Sequence, residues 1–132
     1  VEPPLINILK AMGNETRLRI LNLLQSGDLC VCELQFLLEI SQSNISKHLQ
    51  KLTSAGLLQF YQSAKYVYYT INTDIHREHP FMELILQTET PKLDRFQADR
   101  KRLAEYKARG FTCEDLKNGK ICFNHQKTRN SY

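Results

Sequence analysis

The hydrophobic period of this chain changes at Leu57, and that change restricts the fold more than any other feature. Before it, apolar residues recur at three- and four-residue spacing, the mark of amphipathic helices. Pro3 to Gly13 reads as a short helix with Leu5, Ile8, Leu9 and Met12 on one stripe, Pro at its start and Gly past its end. Asn14 suits the N-cap of a helix running to Ser26 and closed by Gly27. Asp28 begins a third, shorter helix through Glu39. Ser41 caps a fourth from Gln42 to Ala55, with Ile45, Leu49 and Leu52 buried and Gly56 as its terminator. Then Leu57 to Asn72, rich in Tyr, Val, Thr and Ile around a polar Gln62-Ser63-Ala64-Lys65, predicts two short strands joined by a turn.

That order predicts a mainly α chain with a small β-hairpin, a winged helix-turn-helix. With 132 residues, 42% of them hydrophobic, there is material for one core. Pro80 to Gln87 and Pro91 to Ala108 read as further helices, the second ended by Gly110, and Phe111 to Tyr132 as irregular chain disordered near its end. The expected division is residues 1–90 for the winged helix and dimerisation, 91–110 for an additional C-terminal helix, and 111–132 for a cysteine-containing tail. No apolar run approaches the ~18 residues of a membrane span, so the expected setting is cytoplasmic, without a membrane partner. No Gly-rich phosphate loop, nucleophile elbow or metalloprotease helix is present, so an enzyme is not expected.

The net charge is +4, and its distribution says more than its size. From Ile40 through Thr73 there is no Asp or Glu, while Lys47, Lys51 and Lys65 all lie there. On the fourth helix, Ser43, Lys47, Gln50, Lys51 and Ser54 project opposite the apolar stripe. Cations and hydrogen-bonding groups without carboxylates suit phosphates and base edges in a DNA major groove. Ser41, Gln42 and Ser43 open that helix, where free N–H groups favour a phosphate. Lys65 at the hairpin tip is the expected phosphate contact of the wing. The second basic run, from Lys92 to Arg109, reads as a solvated helix face.

The residues also resemble a known family. Leu9-Lys10-Ala11-Met12-Gly13-Asn14-Glu15-Thr16-Arg17-Leu18-Arg19-Ile20-Leu21 resembles the opening of the ArsR/SmtB metal-responsive repressors. Leu29-Cys30-Val31-Cys32-Glu33-Leu34 is similar to their cysteine-bearing box, and Ser41-Gln42-Ser43-Asn44-Ile45-Ser46-Lys47-His48-Leu49 to their recognition helix. Val67-Tyr68-Tyr69 resembles the returning wing strand, and the likeness covers roughly residues 5 to 72. It implies a homodimeric repressor on a palindromic double-stranded operator, needing no cofactor for DNA binding and released by a metal or metalloid. The implied DNA contacts are Gln42, Ser43, Ser46 and His48, within a set of Ser41, Gln42, Ser43, Asn44, Ser46, Lys47, His48, Lys51 and Lys65. His48 lies nearer the core edge, where a packed, hydrogen-bonded role competes. The expected dimer surface pairs Leu5, Ile8 and Leu9 with Phe81, Leu84 and Ile85.

The same likeness makes Cys30 and Cys32 ligand positions of the arsenic-responsive type, with As(III) or Sb(III) as inducer and Cd(II) or Pb(II) as alternatives. Soft thiolates select such ions, and a helix start lowers thiol pKa. Residues two apart on a helix diverge by about 200°, so capture by both would distort the third helix and, through it, the recognition helix. As(III) wants three sulfurs. Cys113 or Cys122 completes the set, or the two sit on the tail as plain thiols. A thiol-based redox or persulfide sensor, bridging Cys30 or Cys32 to a distal cysteine, is the alternative. Asp74, His76, His79 and Glu83 read as ordinary polar surface residues, with a zinc site as the minor alternative.

Overall fold

The computed structural model of the protein describes residues 4–118. α1 (Pro4–Met12) and α2 (Glu15–Leu24) are separated by a break at Gly13 and Asn14. There the Asn14 side chain accepts the Arg17 backbone N–H at 3.0 Å, satisfying one free donor of α2. β1 (Leu29–Cys30) leads straight into α3 (Val31–Leu38), and α4 (Gln42–Ser54) follows. β2 (Leu58–Ser63) and β3 (Tyr66–Ile71) make the hairpin. α5 (Thr73–Glu78) and α6 (Phe81–Leu84) come next, then a π-helical turn over Ile85–Glu89 and a 3-10 turn over Thr90–Lys92. α7 (Asp94–Ala108) and the short α8 (Cys113–Lys117) complete the described chain.

The architecture is mostly helical with one small antiparallel sheet, as the change of period predicts. The sheet has three strands in the order β1-β3-β2. Leu29 pairs with Tyr69 and Cys30 with Tyr68, while Ser63 opposite Tyr66 closes the hairpin around Ala64 and Lys65. Ala64 takes the positive φ of 56° that this tight turn requires, without the glycine that usually supplies it.

Several boundaries differ from those read off the sequence. The third helix starts at Val31, not Asp28, because Leu29 and Cys30 find backbone partners on β3. The second helix stops at Leu24, two residues early. The Pro80 helix is α-helical only to Leu84 and then widens into the π-helical turn, with Thr90 still helical before the 3-10 turn that contains Pro91. α5 was not foreseen; the Asn72 side chain caps it by accepting the Asp74 N–H at 3.2 Å. Cys113–Lys117 is a helix where irregular chain was expected, with the Asp115 carboxylate accepting the Thr112 N–H at 2.9 Å.

The core lies between α2, α3, α4 and α7. Ile20, Leu21, Leu34, Ile45, Leu49, Leu52 and Tyr106 are all fully buried. The basic run on α7 is not simply a solvated face. The Arg19 guanidinium of α2 and the Asp99 carboxylate of α7 form a buried two-pronged pair, with bonds of 2.7 and 2.9 Å. Arg102 donates to the carbonyls of Leu37 at 3.1 Å and Phe36 at 3.0 Å, which satisfies acceptors at the end of α3. Arg100 donates to the Asn22 carbonyl at 3.3 Å. Arg100, Arg102 and the Asp99 pair therefore fasten α7 to α2 and α3, a tertiary role that a charge run does not announce. Ile8 is 1% exposed and belongs to this core, so it is not available to a dimer surface. Leu5, Leu9 and Leu84 remain exposed, at 46%, 46% and 61%.

Candidate nucleic-acid interface and thiol site

α4 stands with Ile45, Leu49 and Leu52 in the core, and its outer side is set by that burial. Ser41, Gln42, Ser43, Asn44, Ser46, Lys47, Gln50 and Lys51 are exposed, and so is Lys65 at the tip of the hairpin. The Ser41 hydroxyl accepts the Asn44 N–H at 3.4 Å and caps the helix. Between α1 and α4 lies an open groove of about 650 Å³ lined by Lys10, Arg17, Lys47, Lys51 and neutral residues. No carboxylate lines it, so its field is positive throughout.

Arg17 fixes one wall of this groove. Its Nε donates to the Ala11 carbonyl at 2.7 Å, and Nη2 to the Lys10 carbonyl at 3.3 Å. Its Nη1 meets Nδ1 of His48 at 3.3 Å. A guanidinium cannot accept, so Nδ1 of His48 is the acceptor and the neutral ring carries its proton on Nε2. Burial, then the nearby Arg17, Lys47 and Lys51, hold the His48 pKa below its ordinary value. His48 is thus a half-buried, hydrogen-bonded residue at the edge of the cationic face.

The cysteines divide. Cys30 and Cys113 are joined in a disulfide, both 1% exposed, and so tie the start of α3 to the start of α8. Glu33, itself 5% exposed, closes over them. Its Oε1 accepts the Cys30 N–H at 3.0 Å and its Oε2 accepts the Tyr106 hydroxyl at 2.5 Å. Burial and that bond push the Tyr106 pKa up, so the phenol stays protonated and donates. One donor atom each from Cys30, Glu33 and Cys113 lies within 4.8 Å of the others, and this is the one such group found among the described residues. Cys32 stands apart from it as a free, half-buried thiol on the side of the Tyr66 phenol. Cys122 lies outside the described residues.

The wing is fastened to both flanks of this site. The Tyr66 hydroxyl donates to Glu114 Oε1 at 2.8 Å, and the Tyr61 hydroxyl to Asp28 Oδ2 at 2.7 Å. The bond to Glu114 raises the Tyr66 pKa to about 12. The same bond, and then Lys65, lower that of Glu114. Asp28 immediately precedes β1 and Glu114 immediately follows Cys113, so both contacts reach the wing from residues beside the disulfide.

Residues 14–59 match the family profile described as "Bacterial regulatory protein, arsR family". The chain is 37% identical over 92 residues to the arsenic resistance transcriptional regulator ArsR2 of Pseudomonas putida, covering 68% of this chain and 78% of that one. The chain belongs to the ArsR family. Among solved structures, reduced HlyU from Vibrio cholerae aligns with a TM-score of 0.58 at 38% identity, over 65% of this chain and 88% of that one. The homodimeric winged helix-turn-helix DNA-binding domain of Mb0332 from Mycobacterium bovis aligns with a TM-score of 0.57 at 25% identity, over 69% and 85%. Three further curated relatives are matched over only 56%, 61% and 61% of their own length.

Set on an ArsR-type winged helix, the expected contact residues of α4 other than the half-buried His48 are exposed, and Lys65 stands on the wing. Lys10 and Arg17 were missed as part of that surface. The signal existed, since both are cations in the matched opening motif, but their meeting with α4 depends on how α1 packs. Glu33 was missed too: it sits three residues after Cys30, the spacing of a helix-capping carboxylate. Asp74, His76, His79 and Glu83 form no group of potential metal ligands among the described residues; Asp74 instead pairs with Arg77 at 3.2 Å. No helix among the described residues is long and apolar enough to cross a membrane.

Proposed function

We propose that this ArsR-family chain is a transcriptional repressor that binds a palindromic double-stranded operator as a homodimer. The observation that carries the reading is the carboxylate-free cationic surface formed by α4 and the groove beside it. Gln42, Ser43, Asn44 and Ser46 read base edges, while Lys10, Lys47, Lys51 and Lys65 neutralise phosphates. Recognition helices probe the groove with their N-terminal residues, and two-fold dimers match operator symmetry.

The effector in this reading is As(III) or Sb(III), captured by the Cys30 and Cys113 thiols once reduced, with Cys32 as a further thiolate source on α3. The relative named for arsenic resistance supports that choice of ion. Arsenous acid exchanges hydroxide for sulfur, each thiol proton leaving with a hydroxide as water. The alternative is redox control, and the specific observation favouring it is the Cys30–Cys113 bridge itself. Two electrons and two protons from a thiol reductant open it.

The test uses a duplex selected from a random-sequence library and the reduced chain at fixed salt. Arsenite or antimonite is expected to weaken binding in the parent and not in Cys30→Ser or Cys113→Ser. Weakening by mild oxidation alone, abolished in the same variants, selects the redox reading. Failure to retain any duplex at low salt refutes both.

A further inference from the structure

We propose that Glu33 is a third donor beside Cys30 and Cys113, so that the reduced chain holds a divalent thiophilic cation, Zn(II) or Cd(II), in a buried two-sulfur, one-oxygen site. This deepens the effector-site reading above and rests on it for the two thiols. Cys30, Glu33 and Cys113 are 1%, 5% and 1% exposed, and their donor atoms fall within 4.8 Å of one another. Metal–sulfur bonds of about 2.3 Å and metal–oxygen bonds of about 2.1 Å place neighbouring ligand atoms under about 4 Å apart. Opening the Cys30–Cys113 bridge lets the two sulfurs separate to that spacing, and the Glu33 oxygen, already within 4.8 Å, has only a short way to close.

The carboxylate is already aimed. Its two hydrogen bonds, from the Cys30 N–H and the Tyr106 hydroxyl, hold it against the sulfurs from both sides. A carboxylate offers about four lone-pair positions, so both bonds persist while a metal takes a third. They then serve as the outer contacts that orient a ligand. Both partners are uncharged donors. A buried carboxylate held only by neutral groups is expensive, and a bound cation relieves that expense where a capping role alone does not.

The chemistry balances simply. A dithiol reductant gives two electrons and two protons to the Cys30–Cys113 bridge and is itself oxidised to a disulfide. The cation then displaces both thiol protons to solvent. Two thiolates and one carboxylate carry three negative charges against the ion's two positive ones. A fourth position stays open to water. Arsenous acid differs because it arrives neutral and loses hydroxide to each thiol, so it has no need of the carboxylate. That difference gives Glu33 a signature.

The experiment uses the full reduced chain with Cys32→Ser and Cys122→Ser, which leaves only the two thiols of the site. Cd(II) is titrated against a competing chelator and followed by the ultraviolet thiolate-to-metal absorption; arsenite uptake is measured in parallel. One Cd(II) per chain is expected. Glu33→Gln keeps the side-chain shape and an oxygen for the Cys30 N–H, its amide N–H donating to the Tyr106 oxygen in place of accepting from it, and is expected to weaken Cd(II) about 10–100-fold, the range that loss of a ligand's partner already produces, while arsenite uptake stays within about twofold. Equal Cd(II) affinity in Glu33→Gln overturns the assignment. Loss of both Cd(II) and arsenite overturns it as well, since Glu33 then only holds the thiols in place. A parent that takes arsenite but not Cd(II) sinks this inference alone and leaves the effector reading standing. Unchanged uptake of both in Cys113→Ser removes the thiol site altogether.

Discussion

Lys51→Ala should flatten the salt dependence of operator binding by a predictable amount. Lys10, Lys47, Lys51 and Lys65 are exposed cations on the proposed contact surface, so a homodimer presents about eight. Each neutralised phosphate adds about −0.9 to the slope of log affinity against log salt, giving about −7 for the parent. Between 50 and 200 mM salt, a slope of that size lowers affinity about 10⁴-fold. Lys51→Ala removes one cation per protomer, two per dimer, and should make the slope shallower by about 1.8. Preference among duplex sequences should hardly move, because a phosphate contact positions without reading. Fluorescence anisotropy with a labelled duplex over a salt series measures both. Lys101→Ala, on α7 and away from the α1–α4 groove, should leave the slope unchanged. If Lys51→Ala changes the slope no more than Lys101→Ala does, α4 does not face the phosphates and the placement of the interface is wrong.

Asp99→Ala leaves the Arg19 guanidinium buried without its partner and should destabilise the chain by about 3–5 kcal/mol. Urea denaturation is the check, and a loss under about 1 kcal/mol would show that the pair is not buried in solution. The pKa values of His48 and His76 both lie below the ordinary 6.5, each mainly through burial. The fold therefore binds a proton there less readily than the unfolded chain does. Stability should be fully present above about pH 6.5 and fall as the pH drops below it. Melting temperature compared at pH 7.5 and 5 should fall less in His48→Gln, which keeps an acceptor for Arg17; an identical fall rules out a His48 contribution.

How far the sequence revealed this arrangement follows from the range of the interactions involved. α2 and α4 were legible because each carries its own N-cap, Asn14 and Ser41, and its own apolar stripe. The hairpin was legible because β-branched and aromatic residues cluster on both sides of one polar turn. β1 was not, since two residues become a strand only by pairing with Tyr68 and Tyr69 almost forty positions later. The Cys box was visible as a motif, yet its partner stands 83 residues away from Cys30, and no local period connects them. The roles of Arg100 and Arg102 were hidden for the same reason. A cation on a helix looks the same in sequence whether it meets water or the last carbonyls of another helix.

The position of Cys30 argues for the wing, ahead of the recognition helix, as the first element to respond to chemistry at the thiols. Cys30 is at once the strand residue paired with Tyr68 and the residue from which α3 begins. Any change in its backbone is felt by β3 through direct strand pairing. On the other side, Cys113 is followed by Glu114, which holds the Tyr66 hydroxyl at 2.8 Å and sits close enough to Lys65 for that cation to lower its pKa. Movement of α8 therefore alters both the anchoring of the wing and the charge beside its phosphate-contacting lysine. α4 is further removed: it carries none of these cysteines, and it packs on α3 through a core in which Leu34, Ile45, Leu49 and Leu52 are all fully buried. Close-packed cores resist small continuous shifts. Effector binding in the proposed mechanism should thus weaken the hold on the DNA backbone while leaving the order of preference among duplex sequences intact. A reordering of that preference by arsenite would place the response in α4 instead.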